Sequence, residues 1–301
     1  MRVAFIFPGQ GSQSVGMGVD LDPATFEEAD DALGYALSAI IRDGPVERLA
    51  QTEITQPALL TASIAMARAL ERARPDLIPS FAAGHSLGEY GALVAAGALG
   101  FADAVRLVRL RGRAMQDAVP LGVGAMAAIM GPDTAEVRAL CEAHGNGEIV
   151  ELAAHNCPGQ TVIAGHVGAV DRVCEAVGSG ARRLTVSAPF HCSLLQPAAD
   201  ALQAALAGVT LHPPRFPVVQ NAYADVADTV DGIRARLVDQ VVKPVRWVEC
   251  VRRMQALGAE RCIEVGPGKT LAGLGKRIDR SFAVVAFVDA LGGSGEPGGA
   301  A

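Results

Sequence analysis

The sequence predicts an α/β domain interrupted by a small α+β insert. Three observations predict it. A short apolar run at 80–83 leads through Gly84-His85-Ser86-Leu87-Gly88 into an apolar helical stretch, giving strand, tight turn and helix in succession. Between about 123 and 188 the texture changes to short elements in the order strand, helix, strand, strand, helix, strand. That order is the split βαβ pattern of ferredoxin-like units. On both sides of this segment longer strand and helix patterns hold.

Taken in order, 3–7 is a short apolar run ending in Pro8-Gly9, which fits a buried first strand. A loop rich in Gly, Gln and Ser follows over 9–18, and helical periodicity then runs to about Arg74. Pro57 is expected to open a helix over 58–72. After the strand at 80–83, helices are predicted at 87–98 and 102–117, with Gly100 between them. Within the insert, strands are expected at 124–130, 150–154, 160–164 and 183–187, and helices at 134–143 and 167–177. Beyond Pro189 the pattern predicts a helix at 197–207, a strand at 217–221, a helix at 247–257 and strands at 261–265 and 283–288. The large subdomain is therefore drawn as 1–122 plus 189–291 and the small one as 123–188. The Gly-rich tail 292–301 is expected to be disordered.

Composition narrows the function. Of 301 residues, 50% are apolar and 19% are charged, enough for a large core and unlike a disordered chain. The net charge of -6 lacks the basic surplus that a general nucleic-acid binder uses against phosphate, so no nucleic-acid partner is expected. The cations are 23 Arg against three Lys (Lys243, Lys269 and Lys276), a bias that source-genome base composition explains. The apolar run at 3–7 is too short for a signal-peptide core or a membrane helix, so the cytoplasm is the expected location. Six cysteines without a C-x-x-C read as free thiols. Cys141 with His144, and His155 with Cys157, look like ligand pairs, but neither has a second pair at zinc-finger spacing and no metal is expected.

The strongest chemical signal is the G-x-S-x-G around Ser86. In a nucleophile elbow the serine sits on a tight strand-to-helix turn whose glycines permit close backbone approach. The Leu87 amide and the helix N-terminus are then placed to stabilise an oxyanion. A serine nucleophile needs a base, and six histidines compete for the role. His85 abuts the elbow but projects differently from Ser86; His144 and His212 lie in polar or Pro-rich stretches; His155 and His166 flank insert strands. His191 lies where the chain leaves the insert and is the favoured base, with the others left open. No carboxylate is convincing as a third member: Asp171 and Glu175 fall in a predicted helix, and Glu148 and Glu151 near an insert strand.

Arg111 stands apart on its helix. At about 100° per residue, Arg106, Arg109 and Arg113 fall within roughly 60° of one another, while Arg111 lies roughly 140° or more from all three. It shares its side with Ala104, Leu107, Val108 and Met115, where a charge must be paired or hydrogen-bonded. Three readings fit: a structural ion pair with an internal carboxylate, a snorkelling side chain, or capture of a substrate carboxylate beside the serine. Two nucleotide-like motifs fail. The loop 7–13 has Ser14 where a dinucleotide fingerprint needs Gly, and Gly268-Lys269-Thr270 has Ile263 where a phosphate loop needs its first Gly. No cofactor is expected.

Together these segments resemble the malonyl-CoA:acyl carrier protein transacylases. The matching blocks are Phe7-Pro8-Gly9-Gln10-Gly11-Ser12-Gln13, Gly84-His85-Ser86-Leu87-Gly88-Glu89-Tyr90, Arg111-Gly112-Arg113-Ala114-Met115-Gln116, Pro189-Phe190-His191 and Glu264-Val265-Gly266-Pro267-Gly268-Lys269, with Asn156-Cys157-Pro158-Gly159-Gln160 and Pro244-Val245-Arg246-Trp247. The resemblance covers about residues 1–280. It implies an α/β-hydrolase-like large subdomain with an inserted ferredoxin-like small one. It implies Ser86 as nucleophile, His191 as general base, the amides of Gln10 and Leu87 as oxyanion hole, and Arg111 as the partner of the malonyl carboxylate. Gln240 matches a position whose backbone carbonyl orients the histidine, which accounts for the missing carboxylate. Phe190 looks like the malonyl-selecting form of the histidine motif. The partners implied are malonyl-CoA and an acyl carrier protein, with the enzyme a monomer. Rival readings are an acyltransferase serving a polyketide synthase, a serine hydrolase and a non-enzymatic docking module. An acidic carrier must meet a local basic patch, for which Arg106, Arg109, Arg113, Lys269, Lys276 and Arg277 are the candidates.

Overall fold

A computed structural model describes residues 2–292, and the tail from residue 293 lies outside the described residues. The strands are β1 (Val3–Phe7), β2 (Pro79–Gly84), β3 (Gly124–Met130), β4 (Val150–Cys157), β5 (Gln160–His166), β6 (Ala181–Arg183), β7 (Val218–Gln220), β8 (Asp225–Val226), β9 (Arg261–Glu264) and β10 (Ala283–Ala286). Six form one sheet in the order β10-β9-β1-β2-β7-β8, parallel throughout except for the antiparallel edge pair β7–β8. The other four form an antiparallel sheet in the order β4-β5-β3-β6. The protein is thus a mixed α/β structure with two sheets, the smaller inserted between β2 and β7 of the larger.

The unbroken apolar run of β1 follows from burial on both faces. Val3, Phe5 and Phe7 enter one core cluster, beneath the helices Thr52–Ala73, Gly88–Ala95, Phe101–Asp117 and Gln196–Leu206. Ala4 and Ile6 enter a second cluster, with Trp247, Val251 and Met254 of the helix Trp247–Ala256. Met126, Ala153, Val162 and Ala164 of the small sheet join that second cluster, so one apolar layer bonds the two sheets. The far face of the small sheet packs Ala125, Ala127 and Ile129 on the helices Thr134–His144 and Val167–Val177.

Several boundaries differ from expectation, three of them for a physical reason visible in the packing. The helix assigned to 58–72 runs Thr52–Ala73 and carries Pro57 inside it. Proline removes one rung of the helical ladder. However, Thr52, Thr55 and Gln56 are buried, and the helix packs along Phe101–Asp117, so tertiary contact overrides the local preference. Gly112 allows that approach, since a Cβ there would stand 2.6 Å from the Thr52 carbonyl oxygen. The strand expected at 183–187 is Ala181–Arg183, and a last bond from the Leu184 amide to the Met126 carbonyl closes the pairing. By Ser187 the chain has crossed to the large sheet's helices, its Oγ 2.9 Å from Thr52 Oγ1. The strand expected at 283–288 stops at Ala286, because Phe287 and Ala290 bury one face of a helix, Phe287–Leu291, at i,i+3 spacing. The helix Val230–Val242, capped by the Thr229 hydroxyl, and the helix Thr270–Ile278 lie in stretches the sequence reading left unassigned.

Among the described residues no helix is long and apolar enough to cross a membrane, and no cluster of His, Cys, Asp and Glu has the makings of a metal site. All six cysteines are free; five are buried and Cys174 is half-buried.

Candidate active site

Ser86 lies on the turn between β2 and the helix Gly88–Ala95, with φ 51°. A non-glycine residue in the left-handed region is strained, and such strain gathers at functional sites. The flanking glycines are required by contact. A Cβ on Gly84 would lie 1.9 Å from the Gly88 carbonyl carbon, and one on Gly88 would lie 2.0 Å from the Phe7 oxygen. The loop after β1 closes over the same turn, since a Cβ on Gly9 would stand 2.6 Å from the His85 oxygen.

The structure brings four of the sequence-predicted residues together. Ser86 Oγ lies 2.7 Å from His191 Nε2. His191, also left-handed at φ 62°, directs Nδ1 to the backbone oxygen of Gln240 at 2.8 Å. A carbonyl only accepts, so Nδ1 carries the proton and Nε2 is free to accept from the serine hydroxyl; the tautomer follows from these partners. Gln240 stands in the last turn of its helix, where carbonyls have no partner inside the helix. The negative end of that helix therefore faces the imidazole and favours its protonated form during turnover.

Arg111 is buried at 2% exposure. Its Nη2 donates to Ser86 Oγ at 3.1 Å and to Gln240 Oε1 at 3.0 Å, and its Nη1 donates to Gln56 Oε1 at 2.8 Å. Among the described residues it makes no ion pair, and its Nε has no hydrogen-bond partner. Of its open readings, burial excludes a snorkelling side chain, and the neutral partners do not support a direct structural ion pair. Arg106 and Arg113 are exposed and paired with Asp103 and Asp117, as the helical arithmetic implies. Burial and then the Arg111 charge push the His191 pKa down to about 3, so its imidazole is neutral at pH 7.

His85, His155 and His166 are engaged elsewhere. His85 is held through Nε2 by Asn156 Oδ1 at 2.8 Å and stacks obliquely on Trp247. His155 faces Glu249, His166 accepts from the Ile149 amide, and His212 is exposed. Three of the four carboxylates weighed for the triad serve local contacts: Glu148 pairs with Arg172, Asp171 with Arg183, and Glu151 accepts from Ser193. Leu87 is buried directly after the serine, and Gln10 is exposed on the loop after β1, its side chain 3.4 Å from Thr52 Oγ1. Gln56, Glu89 and Asn221 were not foreseen as site residues. The signal for Glu89 was a carboxylate inside an otherwise apolar helix start. Asn221 is the last residue of a predicted strand, 217–221, without further mark in the sequence.

A strained serine, hydrogen-bonded to a histidine that a backbone carbonyl orients, is an arrangement for acyl transfer through an ester. The family model for an acyl transferase domain matches residues 4–287. The malonyl CoA-acyl carrier protein transacylase of Escherichia coli (strain K12) is 50% identical over 287 residues, covering 92% of this chain and 93% of that protein. The solved structure of the enzyme of that name from Coxiella burnetii superposes with a TM-score of 0.94 at 44% identity, covering 98% of this chain and 96% of the other. A malonyl-transacylase in complex with a type II PKS acyl-carrier protein gives a TM-score of 0.92 at 44% identity, covering 97% and 100%. The chain belongs to the family of malonyl CoA-acyl carrier protein transacylases.

Proposed function

We propose that the chain moves a malonyl group from malonyl-CoA to the phosphopantetheine thiol of acyl carrier protein, for fatty acid biosynthesis. One observation carries the choice of acyl group. The Arg111 guanidinium stands 3.1 Å from Ser86 Oγ, buried and, among the described residues, without a carboxylate within bonding distance. A malonyl thioester has its free carboxylate one methylene from the acyl carbon, so a cation beside the nucleophile matches it and an acetyl group leaves it unpaired.

In the mechanism, His191 Nε2 takes the Ser86 proton as Oγ bonds to the thioester carbon. The carbonyl oxygen becomes an oxyanion, assigned to the amides of Gln10 and Leu87. The C–S bond then breaks, the sulfur takes the proton from Nε2, and CoA leaves as a thiol. The carrier thiol next gives its proton to Nε2, attacks the malonyl-serine ester, and Ser86 recovers its proton as the ester opens. Gln240 holds the imidazole through its carbonyl, and Phe190, next to the base in the chain, is assigned the exclusion of an α-methyl group by its likeness to the malonyl-selecting motif. Every proton and charge in this sequence is handled by groups of the chain, so the reading calls for no metal or cofactor. It carries with it a cytoplasmic monomer that acts without nucleic acid or membrane.

Intact mass spectrometry after malonyl-CoA alone tests the reading. A malonyl adduct should form and vanish in Ser86→Ala; a wild-type protein without the adduct would sink the mechanism. A second reading, supply of a polyketide synthase, is favoured by the likeness to the malonyl-transacylase solved with a type II PKS acyl-carrier protein. Transfer rates to carriers of both kinds separate the two.

A further inference from the structure

Glu89 is a carboxylate with no exposed surface, in the first turn of the helix that follows the elbow. It accepts three hydrogen bonds: from Gln220 Nε2 at 3.0 Å, from the Asn221 amide at 2.7 Å and from Gln240 Nε2 at 2.8 Å. Each donor leads to the reacting groups. Gln240 Nε2 also donates to the Ser86 carbonyl, its Oε1 receives Arg111, and its backbone oxygen receives His191. Asn221 Oδ1 accepts from the Ser86 amide at 2.6 Å, and its Nδ2 donates to the Gly84 carbonyl at 2.7 Å, clasping both sides of the turn. Gln220 Nε2 reaches the Ile233 carbonyl on the helix that carries Gln240.

Three donors meeting one group require an acceptor without N–H of its own, which an ionised carboxylate is and an amide is not. The site also holds one buried cation, Arg111, with no ion pair among the described residues. An isolated buried charge is costly, and an anion joined to it through one intervening side chain offsets that cost. Burial raises the Glu89 pKa above the usual carboxylate range; the Asn221, Gln220 and Gln240 bonds and the Arg111 charge favour the ionised form and offset that rise in part.

We propose that Glu89 is the positioning residue of this site: through Gln240 and Asn221 it holds Ser86, His191 and Arg111 in register and supplies the buried negative charge that offsets Arg111. A triad carboxylate would touch the histidine directly. Here the anion stands one residue further back and acts on all three groups at once. The inference rests on the reading that Ser86 is acylated.

The test is the rate of malonyl transfer and of Ser86 acylation in Glu89→Gln, Gln240→Met and the double variant, with wild type alongside. Glu89→Gln keeps the shape and loses the charge. Its kcat should fall about ten- to hundredfold, the scale of a lost charge-assisted hydrogen bond. Its KM for malonyl-CoA should not rise, because Arg111 remains free to bind the carboxylate. Gln240→Met keeps the carbonyl that holds His191 but cuts the side-chain link, and its loss should not add to that of Glu89→Gln. A merely structural carboxylate predicts instead kcat losses that follow the folded fraction and add in the double variant; that result overturns the proposal, as does wild-type kcat in Glu89→Gln. Should Glu89→Gln not fold, the kcat and KM of Gln240→Met decide by the same criteria. A wild-type protein that leaves Ser86 unacylated overturns both this inference and the function beneath it, whereas an acylated wild type with an unaffected Glu89→Gln removes this inference alone.

Discussion

Arg111 and Ser86 are bonded to each other: the guanidinium Nη2 donates to the hydroxyl Oγ at 3.1 Å. The nucleophile thus receives a hydrogen bond from a cation on one side and faces a neutral imidazole on the other. An arriving carboxylate takes over the guanidinium and frees the Oγ lone pair for attack. Arg111→Ala should lower kcat/KM for malonyl-CoA by about tenfold to several hundredfold, the scale of one or two bonds to a charged group. The loss with acetyl-CoA should be much smaller. Equal losses for both substrates would remove the carboxylate role from Arg111.

The pH dependence follows from His191. A general base works while it is neutral, and burial with the Arg111 charge holds this one neutral down to about pH 3. The acid limb of kcat/KM for acylation should therefore lie well below the usual histidine value of 6.5. Stability moves the other way. The unfolded chain takes up this proton below 6.5 and the folded chain does not until about 3, so the stabilisation is complete above 6.5 and is lost as pH falls between those values. At pH 5 His191 alone should contribute a loss on the order of 2 kcal/mol. His85, also held below 6.5 by its burial, adds in the same direction. Denaturant unfolding at pH 7.5 and pH 5 checks it; equal stability at both would contradict this environment for the histidines.

Two glycines should respond oppositely to alanine. A Cβ on Gly88 meets the Phe7 oxygen at 2.0 Å and the Pro8 oxygen at 2.9 Å, both backbone atoms. Gly88→Ala should cost about 1–3 kcal/mol or more and slow acylation, because Ser86 moves with the turn. Gly273 lies inside the helix Thr270–Ile278 with nothing within 4 Å of a Cβ. Gly273→Ala should be neutral or stabilise by up to about 1 kcal/mol. Thermal melts of the two variants, with self-acylation rates, decide both.

Much of this was legible in the sequence because the signals are local. The strand–turn–helix around Ser86 shows in six or seven adjacent residues, and the inward face of Arg111 shows in helical arithmetic. The insert is legible because its strands and helices alternate within one continuous segment. Less legible was whatever depends on distant parts meeting. Gln240 receives His191 through a backbone carbonyl, and any residue type supplies a carbonyl. Asn221 and Gln56 are polar residues whose partners lie 135 and 55 positions away in the chain. Pro57 misled for a related reason: local chemistry favours a helix start there, and only packing against Phe101–Asp117 extends the helix back to Thr52.

The six free thiols bear on selectivity. Burial pushes every one of them up, Cys141 to about 11 and Cys192 to about 12, with Cys157, Cys174, Cys250 and Cys262 raised as well. Transthioesterification proceeds through thiolate anions, and at neutral pH this chain holds almost none. A protein that handles activated thioesters at every turnover is thereby shielded from acylating its own sulfurs, although Cys192 stands next to the base. Prolonged incubation of the native protein with malonyl-CoA should load one acyl group, on Ser86, and peptide mapping should find no cysteine modified; an acyl-cysteine would show that one of these sites opens to solvent.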